Sequence, residues 1–236
     1  GLIGPLIGAL IASFLGFKFL FYVVIFFLII SVFPLLKFDN IKPDTTLTFK
    51  GVWNLTKKNK KYFWATVADD IKGEAEGIIW PLFVYLTLHS LVSVGWVSFF
   101  VSTGTIVFTL LIGRYYDKKG KYSFLKLGGL LYALVWFARL YFHDPWMLYG
   151  LSLLAGIFVL MINIPFNTIF YDKAAEQGDP DEFIVFREIP KVIARVFFWV
   201  LLLLIVEKFV TAFILAGIVS LFFLFYHFEP VEREST

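Results

Sequence analysis

The chain has 236 residues, 59% of them hydrophobic and only 17% charged, with a formal net charge of +3 at pH 7. A soluble domain is about 45–50% apolar and about 25% charged, so a soluble monomer and a disordered chain are both excluded. With no cysteine there is no disulfide scaffold or thiolate chemistry, and so small a net charge gives no footing for nucleic acid.

What remains is an all-α polytopic membrane protein with the lipid bilayer as its solvent. A membrane helix needs about 20 mostly apolar residues. On that measure the chain reads as eight transmembrane helices: residues 1–16, 19–36, 71–88, 94–112, 124–141, 146–169, 192–206 and 209–228. The first apolar run is already under way at Gly1, which predicts upstream sequence in the same protein. Lys37, Lys42, Lys50, Lys57, Lys58, Lys60 and Lys61 follow the second span, and Arg114, Lys118, Lys119 and Lys121 follow the fourth. The alternate turns hold only Lys18, Arg139 with His143, and Lys208. The positive-inside rule then places the Lys-rich loops and the carboxy terminus in the cytoplasm, with the protein in the cell membrane. The hydrophilic stretch 38–61 reads as a cytoplasmic linker between two helices of an incomplete amino-terminal bundle (1–37) and a six-helix carboxy-terminal bundle (62–236).

In the first span, Gly4, Pro5 and Gly8 form a helix-packing motif: small residues let backbones approach, and proline kinks the helix. In the third, at 100° per residue, Asp70, Glu74, Gly77, Pro81 and Tyr85 share one face. Asp69, Lys72, Glu76 and Trp80 share another, where Lys72 is spaced to pair with Glu76 and with Asp69. Counted inward from His89, Glu74 falls within the hydrocarbon, with no basic residue at i±3 or i±4 on its face. Glu74 with Asp70 therefore reads either as a proton-coupling or cation-binding pair, or as a salt-bridged helix end, with Tyr85 a further candidate contact.

The connection Gly113-Arg-Tyr-Tyr-Asp117-Lys118-Lys119-Gly120-Lys121 is a tight, basic reversal, with Gly120 supplying the turn. In the sixth span Asn163 and Asn167 flank Pro165, where they either contact a substrate or satisfy the carbonyl that the proline frees. Arg187, Lys191 and Arg195 recur every four residues as a basic stripe at the start of the seventh span. Arg139, Glu207 and Lys208 stand at outer helix ends, where snorkelling accounts for them.

The 113–121 connection resembles the cytoplasmic signature loop of the major facilitator superfamily, Gly-x-x-x-Asp-Arg/Lys-x-Gly-Arg/Lys. Gly113, Asp117, Lys118, Gly120 and Lys121 stand at its positions, and Tyr116 replaces the usual small residue. Gly4-Pro5-Leu6-Ile7-Gly8-Ala9 is similar to the Gly-Pro-x-x-Gly-Gly motif of that family's antiporters, with Ala9 at the last glycine. The resemblance implies helices five to twelve of a twelve-helix secondary transporter, whose two six-helix halves alternate access to a central cavity. It implies a small-molecule substrate, protons as the coupling ion of an antiport cycle directed outward, and no cofactor. It also implies that Asp117 docks against the start of the seventh span, with Arg187, Arg195 or the positive end of that helix as its partner in a cytoplasmic gate, and that the helix of Asn163 and Asn167 lines the cavity. Two other classes stand beside this one. The first is a non-transporting scaffold or receptor. The second is an intramembrane enzyme, against which His89, His143 and His227 lie at helix ends with no HExxH pattern, while the sequence holds no GxxxxGK[ST] loop to support direct ATP coupling.

Overall fold

A chain immersed in hydrocarbon must satisfy its backbone internally, and helices do so within one segment. The structure, a computed structural model, describes residues 3–35, 49–176 and 180–225; for residues 35, 49, 50, 52, 111–119, 180 and 181 it describes the backbone alone. Every described element is helical: α1 (Gly4–Leu35), α2 (Phe49–Lys58), α3 (Lys60–Glu74), a π-helical turn (Ala75–Ile79), α4 (Trp80–Leu88), α5 (Leu91–Lys119), α6 (Lys121–Ala138), α7 (Pro145–Ala175), α8 (Pro180–Phe186), α9 (Glu188–Leu204) and α10 (Lys208–Phe225). Four described helices are long and apolar enough to cross a membrane: Gly4–Pro34, Leu91–Leu110, Pro145–Ala175 and Lys208–Phe225.

α1 is not straight. Gly16 has φ 82° and ψ 162°, a conformation glycine adopts without steric cost. A Cβ on Gly8 would lie 4.0 Å from Leu20 Cδ1, although the same stretch of straight helix would separate them by about 18 Å. The arms 4–15 and 17–35 therefore lie side by side as a hairpin. α2 occupies the second half of the stretch read as a linker, with Leu55 packed on the core and Lys57 Nζ 5.3 Å from the Trp53 ring centre. The first half of that stretch, 38–48, lies outside the described residues.

Between Lys60 and Leu88 the helix changes pitch. Pro81 has no N–H to give to the carbonyl four residues back. The turn before it widens, and the Trp80 N–H reaches the Ala75 carbonyl instead, an i→i+5 bond. Around this element α7 packs on α5 and α6, α10 on α6 and α3, α9 on α3, and α1 on α5. The α5–α7 crossing brings backbones into contact: a Cβ on Gly156 would sit 2.0 Å from the Val101 carbonyl oxygen, and one on Gly104 2.2 Å from that of Leu153. Such crossings are how helices associate where lipid supplies no hydrophobic drive. At the centre the Phe213 ring lies 5.9 Å from Trp80 and 5.4 Å from Trp136. Those two indoles flank the Arg139 guanidinium.

Candidate functional site

Two charged clusters lie along α3 and the π turn. In the inner one, Glu76 accepts Arg139 Nη1 at 2.7 Å and Nη2 at 2.9 Å, and the Tyr132 hydroxyl donates to the same carboxylate at 2.7 Å. Arg139 is fully buried, its guanidinium carbon 3.8 Å from the ring centre of Trp80 and 4.2 Å from that of Trp136. The Arg139 Nε finds no hydrogen-bond partner among the described residues, so the contact that replaces water around it is the indole faces. Trp80 is fixed in turn by donating its Nε1–H to Ser152 Oγ at 3.1 Å.

One turn below, buried Lys72 donates to Asn163 Oδ1 at 2.7 Å. It also lies 2.9 Å from Asp69 Oδ1, an ion pair without hydrogen-bond alignment. Arg187 Nη2 stands 3.8 Å from the other Asp69 oxygen, with its guanidinium over the rings of Phe166 and Phe170. Asp69, Asp70, Lys72, Glu76, Tyr132 and Asn163 line a cavity of about 350 Å³ whose rim includes Gly73 and Gly77. Both glycines are exposed, and a Cβ on either would meet nothing within 4 Å. The cavity is therefore open on that side, at the lower end of the size range of small-molecule sites.

In the outer cluster, Arg195 of α9 grips Asp70 through Nε at 3.0 Å and Nη2 at 3.1 Å, and its Nε also lies 3.1 Å from Glu74 Oε1. Trp199 Nε1 donates to Glu74 Oε2 at 3.0 Å. Two carboxylates thus share one guanidinium, which leaves the group one negative charge in excess.

Glu74 has no basic neighbour along its own helix face, as its spacing shows, and finds its partner in Arg195 of another helix, in keeping with the salt-bridged alternative. Several expectations need correction. Glu76 pairs with Arg139 of another helix rather than with Lys72, which is held by Asn163 and, at i,i+3, by Asp69. Arg139 does not snorkel outward but reaches inward to Glu76. Arg187, Lys191 and Arg195 do not form one stripe: the helix is interrupted at Arg187 between α8 and α9, and Lys191 pairs locally with Glu188. Gly4 and Gly8 are not at a close approach. A Cβ on Gly4 would meet nothing within 4 Å, and the tight contact of this arm is Ala9 against Gly95 of α5, where an added Cβ would lie 2.7 Å away.

Among the candidate contacts, Asp70 and Asn163 line the same cavity, and Glu74 joins them through Arg195. Tyr85 is exposed and Asn167 half-buried, and neither lines it. The side chains of Gly113's loop partners, Asp117 and Lys118, lie outside the described residues, and so does the gate contact of Asp117. Both arginines expected to hold it are engaged on α3. Gly120 takes φ 78° at the reversal, and Lys121 pairs with Asp172 of α7 at 2.6 Å. Tyr132, Trp136, Arg139 and Ser152 were missed. The first three carried a signal, since spacing i, i+4, i+7 puts them on one face of α6.

The reversal between α5 and α6 turns on Gly120, at the place where the signature residues stand. No curated protein matches the chain. The family model described as Major Facilitator Superfamily matches residues 75–236, more than half of the chain, from the π turn to the end. The chain belongs to the Major Facilitator Superfamily.

Proposed function

We propose that the protein is a secondary active transporter of a small polar solute, with the 350 Å³ cavity as its binding site and proton-coupled antiport, directed outward, as its cycle. The observation that carries this reading is the composition of the cavity wall. Both signs of charge and an amide face one open space inside a membrane protein, a costly arrangement that lipid-facing packing does not require. Asn163, Lys72 and Asp69 offer a donor, an acceptor and both charges to a solute. A further helical half, contributed by upstream residues of the same protein, would close the cavity over Gly73 and Gly77.

Eight spans fit this reading. The two arms of α1 count separately, the arm 4–15 being shorter than a full span, the helix from Lys60 to Leu88 crosses despite its π turn, and α6 with 18 residues and α9 with 17 reach the lower limit for a span. The Lys-rich ends then face the cytoplasm, in the plasma membrane. In this Cys-free chain, cysteines placed at Ser90 and Asp144 are expected to react with an impermeant thiol reagent in intact cells, and those at Lys58 and Lys119 only after permeabilisation. Labelling of position 119 from outside would reverse the orientation.

Transport itself is tested in proteoliposomes carrying a pH gradient and an internal pH dye. A subset of small polar solutes is expected to collapse the gradient, and Asn163→Leu to reduce that response at least tenfold by removing the amide that holds Lys72. Solute binding with no solute or proton movement would instead favour a receptor or scaffold.

A further inference from the structure

On the side of α3 away from the polar clusters, α9 and α10 diverge and leave an apolar groove of about 800 Å³. Trp64, Ala68 and Ile71 of α3 form its floor, with Ile193 and Phe197 of α9 on one wall and Ile218 of α10 on the other. Protein interiors are packed as densely as organic crystals, so a trough of this size inside a bilayer is filled by something apolar. We propose that the groove is a binding site for an anionic phospholipid, one acyl chain lying in the trough and the headgroup held by Lys60 and Lys61.

Three features carry the proposal. The groove is continuous with the outer face of α9, where Val192, Val196, Phe197 and Val200 are all exposed to the surroundings. Its length fits one leaflet: the lining stretch of α10 from Leu215 to Phe225 rises about 15 Å, half of the roughly 30 Å hydrocarbon core. Its mouth is basic. Lys60 and Lys61 precede Trp64 by four and three residues, so they stand one turn beyond it on the groove side, and both are exposed. The lysine stems extend the apolar wall while the ammonium groups reach the phosphate level.

The test uses the whole protein in phosphatidylcholine nanodiscs doped with brominated phosphatidylglycerol or brominated phosphatidylcholine. Subtracting the emission of Trp64→Phe isolates the Trp64 signal. Brominated phosphatidylglycerol is expected to quench Trp64 at about tenfold lower mole fraction than brominated phosphatidylcholine, the scale set by two lysines near an anionic surface. In Lys60→Gln/Lys61→Gln the two lipids are expected to quench alike. Equal quenching in the unmodified protein would overturn the proposal, and so would a preference that survives loss of both lysines. Protection of Trp64 from both lipids, accompanied by a dimer in the nanodisc, would mean that a second protein surface fills the groove, and would overturn it too.

Discussion

Arg139→Leu is expected to lower the melting temperature of the detergent-solubilised protein by on the order of 10 °C, a larger loss than any exposed charge should give. The guanidinium is completely buried, doubly bonded to Glu76 and held between the faces of Trp80 and Trp136. Removing one member of such a pair leaves the other charge buried without a partner, which costs about 3–5 kcal/mol. Arg139→Lys should recover little, because an ammonium reproduces neither the two-pronged contact nor the stacking on indole. Arg139→Leu combined with Glu76→Leu should be less damaged than Arg139→Leu alone, since no unpaired charge remains. Differential scanning fluorimetry of the three variants reads this directly. If Arg139→Leu melts within 2 °C of the unmodified protein, roughly the effect of less than 1 kcal/mol in a chain of this size, the pair is not a brace.

That brace shows where the sequence was legible and where it was not. The membrane class followed from composition, because 59% hydrophobic residues leave no soluble solution. The hairpin in α1 followed from the polar break in an apolar run, although the turn falls at Gly16 rather than at Lys18. The family followed from Gly113, Asp117, Gly120 and their neighbours. These are local patterns. The ion pairs were mostly invisible because they join residues far apart in the chain: Arg139 to Glu76 and Arg195 to Asp70 are separated by 63 and 125 positions. Periodicity names the face a side chain occupies but not the helix it meets. It also assumes a constant pitch, and the π turn before Pro81 violates that assumption between Ala75 and Trp80. The Tyr132–Trp136–Arg139 stripe was readable. An arginine on the same face as two aromatic residues, at the end of an apolar helix, points inward as readily as outward.

Glu74→Gln is expected to abolish solute accumulation driven by a proton gradient while leaving solute exchange across the membrane within about twofold. Asp70 and Glu74 compete for the single guanidinium of Arg195, so a proton taken up by either carboxylate brings the group to neutrality, and its release restores one negative charge. Because Arg195 and Trp199 belong to α9 while both acids belong to α3, the protonation state sets how strongly the two helices are clasped. That gives proton uptake a mechanical consequence beside the cavity that Asp70 lines. Loss of a charge-assisted contact worth about 1.5–3 kcal/mol would shift a two-state equilibrium between inward- and outward-facing forms roughly tenfold or more. Glu74→Gln keeps the size of the side chain and can still accept from Trp199, but it cannot carry a proton in and out. Glu76→Gln is the control on the other side of the helix. It should destabilise the protein by leaving Arg139 with a weakened partner, yet the fraction that remains folded should still couple. Accumulation by Glu74→Gln equal to that of the unmodified protein would make the Asp70–Arg195–Glu74 group a static clamp between α3 and α9. The proton site would then lie outside these residues.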